Sequence, residues 1–416
     1  MGQTIAEKIF SSHSNKKVKA GDIIIADVDV LMAQDGTAPL VIKSFEELGD
    51  RIFKNENVVF VIDHNSPSPS QSVSSLHKIM REFSKKHNLK IFDIGEGICH
   101  ILLPEKGFVK PGQLILGADS HTPTYGALNC LSCGVGSTDL AISLLTGKNW
   151  FRVPETIKIE FKGKLPEGVF AKDMALYMVK NLTSKGAIYK SIEIKGETIS
   201  SLSMDGRFTI CNMVTEAGAK FGIMEVDDKT VGFLKEAGID EIEPVFADDD
   251  AFYEKEIVLD VSDLNPQVAL PHSVDNVYDI GEVEGIEINQ AFVGTCTNGR
   301  VEDFEIVAKI LKGKKVNPDV RFICTPGSRK VYLECIKRGY IQTIIEAGGC
   351  VTNPGCGPCV GTHQGIPADN ENVISTANRN FKGRMGNEKS FIYLASPATV
   401  AASAIEGKIT DPRKYI

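Results

Sequence analysis

No stretch of the 416-residue sequence approaches the roughly 18–20 continuous apolar residues of a membrane-spanning helix. The opening MGQTIAEKIFSSHSNKKVKA lacks the apolar core of a secretory leader. It matches an N-myristoylation pattern only loosely, because Ala6 stands where Ser or Thr is wanted. Low-complexity linkers and internal repeats are missing too. Positive charge is in short supply: 46 Lys and Arg face 54 Asp and Glu, a net charge of −8, which argues against non-specific attraction to nucleic acid or anionic lipid. An anionic substrate is still admissible if its cationic partners are placed locally. Together these absences lead us to expect a cytoplasmic protein. A regular cysteine framework is also lacking. Ten cysteines in so long a chain, in a reducing compartment, are mostly buried apolar fillers with a few metal or redox ligands. Cys99, Cys130, Cys133, Cys211, Cys324, Cys335 and Cys350 are expected to be fillers, although Cys130 and Cys133 also share a C-x-x-C spacing.

What is present is the composition of a globular protein, 42% hydrophobic and 24% charged, in a chain long enough for two or three domains. Short apolar runs alternate with helical stretches. NVVFVIDHN (57–65), QLILGADSHT (113–122), INQAFVGTCTNG (288–299) and VRFICTPGS (320–328) read as buried strands ending in polar residues. RVEDFEIVAKILKGKK and RKVYLECIKRGY follow two of them as helices, and SFIYLASPATVAASAIEG reads as a strand and an Ala-rich helix. This alternation argues an α/β fold with largely parallel sheets. The middle differs: ETIKIEFKGKL (155–165) alternates like a half-exposed strand, KDMALYMVKNLTSKG (172–186) is an amphipathic helix, and FADDDAFYEKE (246–256) is an acidic surface connection. Boundaries near residues 152 and 285 give domains 1–151, 152–284 and 285–416, with interleaving of the second with the first allowed.

Polar clusters fall where strands end: Asp63-His64, Asp119-Ser120-His121, and Cys296 with Asn298. Parallel sheets bind ligands at the carboxyl ends of their strands, so three such clusters point to one shared cleft. The stretch TNPGCGPCVG (352–361) adds Cys356 and Cys359, with three chemistries open. A thiol–disulfide oxidoreductase would need a helix starting at the first cysteine, where glycines on both sides suggest a loop. A zinc site could take Cys296 and His363 as further ligands. An iron–sulfur cluster held by Cys296, Cys356 and Cys359 would leave one iron without a protein ligand, a Lewis acid rather than an electron carrier.

The surrounding residues have plain readings as well. Lone histidines are mostly structural, and DSHT could simply start a helix. Two histidines beside aspartates nevertheless suit proton donation, since a carboxylate raises an imidazole's pKa. His100 lies near the same strand ends. Arg379 and Arg384, in the Gly/Asn-rich STANRNFKGRMG (375–386), suit carboxylate recognition through their guanidinium forks. Asn212 and Glu216, four apart, share a face if that segment is helical.

In order from about Asp35 onward, DHN, EGICH, GADSHTPTYGA, TICNM..E.GA, VGTCTNGR.EDF, NPGCGPCVG, NRNFKGRMG and YLASPATVAASAIEG resemble the motifs of the aconitase superfamily. The resemblance is strongest to the large subunit of its two-subunit hydro-lyases. It implies three α/β domains around an iron–sulfur cleft, without the swivelling fourth domain of single-chain members. It further implies a [4Fe-4S] cluster on Cys296, Cys356 and Cys359 with one open iron, contacted by Asn212, Asn298 and Asn378. Asp63 and His64 resemble the pair that protonates the leaving hydroxyl, and His100, Asp119, His121 and Glu216 the shell around it. Arg379, Arg384 and Ser120 resemble the substrate binders. A small subunit would supply the missing domain and the base. Thr124, where aconitases proper have Asn, points to the isopropylmalate and homoaconitate branches. Ile101 departs from the Gln that many relatives carry after the histidine. The implied reaction is dehydration and rehydration of a hydroxy diacid, first of all 2-isopropylmalate in leucine biosynthesis, with homoaconitase and 2,3-dimethylmalate dehydratase as alternatives. A CGPC oxidoreductase is the alternative from another class.

Overall fold

Runs of Val, Ile and Leu become short strands buried on both faces. Val58–Val61, Leu114–Gly117, Gln290–Val293, Arg321–Cys324 and Asn372–Ser375 each bury every residue or all but the first. Such strands need cover on both sides, which a parallel sheet wrapped by helices provides. The computed structural model, which describes residues 2–416, shows this α/β arrangement. A first sheet of five parallel strands runs in the order Lys90–Phe92, Val58–Val61, Val30–Gln34, Leu114–Gly117, Leu131–Gly134. A second, of four parallel strands, runs Phe221–Met224, Ser191–Lys195, Thr156–Lys162, Lys255–Asp260. A third has seven strands: Phe391–Leu394, Asn372–Ser375, Gln290–Val293, Arg321–Cys324 and Cys350–Val351 are parallel, and Gln267–Ala269 and Val277–Asp279 extend it antiparallel. Ile23–Asp27 and Lys148–Arg152 form a separate antiparallel ribbon.

One apolar core joins the sheets: Val61 of the first, Phe161 of the second and Phe292 of the third belong to a single buried cluster that also contains Cys296, Cys356 and Cys359. Thr156–Lys162 alternates as its sequence does, with Ile157, Ile159 and Phe161 buried and Lys158, Glu160 and Lys162 partly or fully exposed. The acidic 246–254 segment is irregular and largely exposed, and Asp248 ties it to the amino-terminal region through the Gln3 N–H (2.7 Å) and Lys8 (2.5 Å). Among the described residues no helix is long and apolar enough to cross a membrane.

Where the first and second sheets meet, the 3₁₀ segment Thr122–Leu128 presses on Phe221–Met224. A Cβ on Gly126 would stand 1.6 Å from the carbonyl oxygen of Gly222. Because backbone cannot yield as a flexible side chain does, Gly126→Ala is expected to lower stability by about 3 kcal/mol, read from the midpoint of urea unfolding. A variant as stable as the parent would contradict this packing.

Candidate active site

The carboxyl ends of the first and third sheets face each other, and the chain leaving each strand carries the chemistry. Asp35, just past Val30–Gln34, is buried and accepts the backbone N–H groups of Asp63 (3.1 Å), His64 (2.7 Å) and Asn65 (2.9 Å), besides His77 Nε2–H (3.2 Å). Burial raises its carboxyl pKa, but these donors and the nearby His64 outweigh it and hold the group well below the usual carboxylate range. The pinned segment then meets the third sheet: the Cys356 N–H donates to the Asp63 carbonyl at 3.0 Å.

Asp63 Oδ2 accepts the Cys99 N–H (2.8 Å), while Oδ1 accepts from His64 Nδ1 (2.7 Å). His64 Nε2 lies 3.4 Å from Asp119 Oδ2, so the ring bridges two carboxylates. Burial alone would lower the pKa of His64, yet Cys356, Asp63 and Asp119 raise it well above its ordinary value. His100 Nε2 donates to Asp119 Oδ1 at 2.8 Å. Burial raises the Asp119 carboxyl, but His100 and His64 drive it well below the ordinary range. His121 is the opposite case. Its Nε2 meets Glu216 Oε1 at 2.8 Å, but burial and the Arg379 guanidinium push it down to about 4. The two imidazoles are thus driven in opposite directions, His64 toward holding its proton and His121 toward losing it, a separation typical of assigned acid–base roles.

The three cysteines of interest are buried and free. Cys296 Sγ accepts from Asn212 Nδ2 at 3.1 Å and from Asn378 Nδ2 at 3.5 Å. Asn378 Oδ1 lies 3.8 Å from Cys359 Sγ, which also accepts from Arg384 Nη2 at 3.2 Å. Cys356 Sγ shares a space with ligand atoms of Asp63 and His64, all within 4.8 Å of one another. Burial pushes the thiol of Cys296 up to about 12 and raises that of Cys356 too. Such a set ionises when a bound cation supplies the missing charge. CGPC forms a single 3₁₀ turn, Gly357–Val360, within a glycine-rich loop. Thr295, directly before Cys296, holds φ at 74°, a β-branched residue in the left-handed region; about 1–3 kcal/mol of strain is stored there.

Arg379 donates through Nε to Glu216 (2.9 and 3.1 Å) and through Nη1 to Ser120 Oγ (3.0 Å). One expected cluster contact and the histidine of the zinc alternative face elsewhere. The amide of Asn298 donates to Asp303 Oδ1 (2.9 Å) rather than to a sulfur, and His363 Nε2 binds the His64 carbonyl (2.9 Å) rather than facing the thiols. Asn212 ends the helix Met204–Met213 and Glu216 sits in the 3₁₀ turn after it, so the pair reaches the site from consecutive turns. Six of the seven filler cysteines are buried and Cys350 is exposed.

Sequence reasoning missed Lys172, Asp35 and Arg300. Lys172 is fully buried, and its Nζ donates to the carbonyls of Thr376 (2.9 Å) and Ala377 (2.8 Å), fixing the approach to Asn378 and Arg379. Burial lowers its pKa to about 8. Helical periodicity could have found it, since Lys172 shares a buried face with Ala175, Leu176 and Val179.

The sequence model of the Aconitase family (aconitate hydratase) matches residues 7–284 and 281–407. The chain is 52% identical to 3-isopropylmalate dehydratase large subunit 2 of Archaeoglobus fulgidus and 53% identical to 3-isopropylmalate dehydratase large subunit 1 of Thermotoga maritima, each over the whole of both chains. It is also 50% identical to the probable methanogen homoaconitase large subunit of Methanosarcina mazei, over 94% of this chain and all of that one. Among solved structures, aconitase X of Thermococcus kodakaraensis superposes with a TM-score of 0.51 over 92% of this chain and 91% of that one, at 14% identity. That likeness concerns the fold alone.

Asp35 sets an acid limit. Its folded pKa lies below the unfolded value of about 3.9, so its stabilisation is complete above that pH and is lost as pH falls through the folded value. Asp35→Asn is expected to cost about 3 kcal/mol at pH 7 and to flatten the decline in stability between about pH 5 and 2. Urea unfolding across that range checks it; parallel curves for parent and variant would contradict it.

Proposed function

The chain belongs to the aconitase family, and we propose that it is the large subunit of a [4Fe-4S] hydro-lyase that isomerises 2-isopropylmalate to 3-isopropylmalate by dehydration and rehydration. The observation that carries this reading is the gathering of three free, buried thiols beside a histidine set between two carboxylates. The donor set fits the cluster. Cys296, Cys356 and Cys359 would ligate it, and Asn212, Asn378 and Arg384 already point N–H groups at two of the sulfurs, as donors that tune iron–sulfur thiolates do. Asn298 stands beside this set on the same turn as Cys296. When bound, such a cluster supplies a Lewis-acidic iron at its corner without a protein ligand.

This chain's own residues supply the rest. Arg379, Arg384 and Ser120 bind the substrate carboxylates. Arg384 Nε is buried with no partner among the described residues. His64, charged at neutral pH, delivers the proton to the departing hydroxyl, and Asp63 and Asp119 hold its ring in place. His100 fixes Asp119, and the neutral His121 with Glu216 orients the leaving water and Arg379. The designation of the relatives as large subunits supports a small-subunit partner, to which we assign the base that takes the carbon-bound proton. The sheets span 30–134, 156–260 and 267–394, so a division near residue 152 suits the first two, while the third begins at Gln267 rather than at 285. A cytoplasmic location in leucine biosynthesis follows from this reading. The Methanosarcina mazei relative favours homoaconitase as the second reading.

The test is turnover by the anaerobically reconstituted chain with its cognate small subunit, offered 2-isopropylmalate, homocitrate and 2,3-dimethylmalate in parallel. Selective turnover of 2-isopropylmalate is expected, with none by the large chain alone. Preference for homocitrate would move the assignment to the second reading. Within the active complex, His64→Gln is expected to lower kcat by about 10²–10⁴-fold with little change in KM. A variant within a factor of about 3 of the parent would remove His64 from the proton-donor role.

A further inference from the structure

The antiparallel ribbon of Ile23–Asp27 and Lys148–Arg152 alternates in burial along both strands. Its inner face is packed: Ile24, Ala26 and Phe151 join the core cluster that holds Ile9 and Phe10, with the Phe10 and Phe151 rings 5.1 Å apart. The outer face of such a ribbon is expected to be polar, yet its centre is apolar. Ile23, Ile25 and Trp150 are 73%, 67% and 63% exposed, and Ile25 pairs directly with Trp150 across the ribbon. Trp150 is the sole tryptophan of the chain. Single exposed apolar residues are ordinary, but three large ones gathered on one face mark an interaction surface.

The register decides what fits there. The outward-facing residues pair in three rows: Ile23 with Arg152, Ile25 with Trp150, and Asp27 with Lys148, the last an ion pair at 3.0 Å. Two such faces can be stacked about a two-fold axis lying across the strands or along them. An axis across the strands would set Lys148 of one copy on Arg152 of the other and leave Asp27 on an isoleucine. An axis along the strands sets Asp27 on Lys148, Ile25 on Trp150 and Ile23 on the apolar stem of Arg152. The face is thus complementary to itself in one orientation, as an interface between identical subunits requires. A depression of about 700 Å³ beside the ribbon, lined by Ser14, Lys16, Ile23, Ile24, Ile25 and Trp150, leaves room for the second indole.

Position separates this surface from the cleft. Ile23–Asp27 runs through Val28 and Asp29 into the start of Val30–Gln34, and the Asp29 N–H donates to the carbonyl of Leu114, the first residue of Leu114–Gly117, at 2.9 Å. The ribbon therefore lies at the amino ends of the first sheet, whereas Asp35, Asp63-His64 and Asp119 follow its carboxyl ends. A subunit that brings a base to the cleft approaches from that other end. We propose that two copies of this chain associate through the outer face of the ribbon, with Ile25 and Trp150 at the centre and Asp27, Lys148 and Arg152 around them, leaving both clefts open.

The test is sedimentation velocity of the full chain, with and without its cognate small subunit, from about 0.5 to 100 µM. A monomer–dimer equilibrium with a dissociation constant of about 10 µM is expected. The emission of Trp150 moves to shorter wavelength over the same range as the indole leaves water. Trp150→Asp, at an exposed position, is expected to weaken the dimer by about tenfold or more and to leave the affinity for the small subunit unchanged. Asp27→Lys and Lys148→Asp each bring like charges together across the axis. Each is expected to be monomeric alone, and the two are expected to dimerise when mixed in equal amounts, which also shows that both are folded. A parent chain still monomeric at about 100 µM, a dimer that Trp150→Asp leaves intact, or charge variants that fail to associate when mixed would each overturn the proposal. Loss of small-subunit binding in Trp150→Asp would overturn it too, by giving the face to that partner.

Discussion

The cleft depends on one buried carboxylate. Asp35 draws three consecutive backbone N–H groups, those of Asp63, His64 and Asn65, onto its two oxygens. Without it, the peptide after Val58–Val61 would be free to turn its polar groups to water. With it, the Asp63 side chain meets the Cys99 N–H, its carbonyl meets the Cys356 N–H, and the imidazole of His64 lies between Asp63 and Asp119. The first and third sheets are thereby joined at their carboxyl ends, and proton donor and thiols are registered through a few hydrogen bonds. Preorganisation of this kind places charges before substrate arrives and removes the need to reorganise during reaction.

The same logic explains how an acidic chain can serve an anionic substrate. Its net charge is −8, but the cations that matter are local and buried or half-buried: His64 between two carboxylates, Arg379 on Glu216 and Ser120, Arg384 on Cys359, and Lys172 on the carbonyls before Asn378. In low-dielectric surroundings such charges act far more strongly than the dispersed surface charge.

Much of this was legible in the sequence. Parallel strands announced themselves as short apolar runs followed by polar residues, and the rule that ligands gather at carboxyl ends turned DHN, DSH and TCTN into one cleft. The α/β class and the family both stand. Asp63, His64, Asp119, Cys296, Cys356 and Cys359 line one cleft, and the amide of Asn298 faces Asp303. What the sequence hid were supports whose significance appears only in three dimensions. Asp35 is one aspartate among many until its three backbone partners are seen, and Lys172 reads as a solvated lysine unless its helical face is counted. Arg300 sits in a familiar motif, yet its grip on the Cys296 carbonyl and its unmet Nη2 are facts of tertiary geometry.

The central claim is that Cys296, Cys356 and Cys359 act as one ligand set. Iron and acid-labile sulfide analysis, with Mössbauer spectra of the anaerobically reconstituted chain and of Cys296→Ser, tests it most directly. The account expects about four iron and four sulfide per chain, one iron distinct from the rest and shifted by added substrate, and loss of that pattern in the variant. A chain that takes up no iron and cycles a Cys356–Cys359 disulfide, indifferent to Cys296, would contradict it.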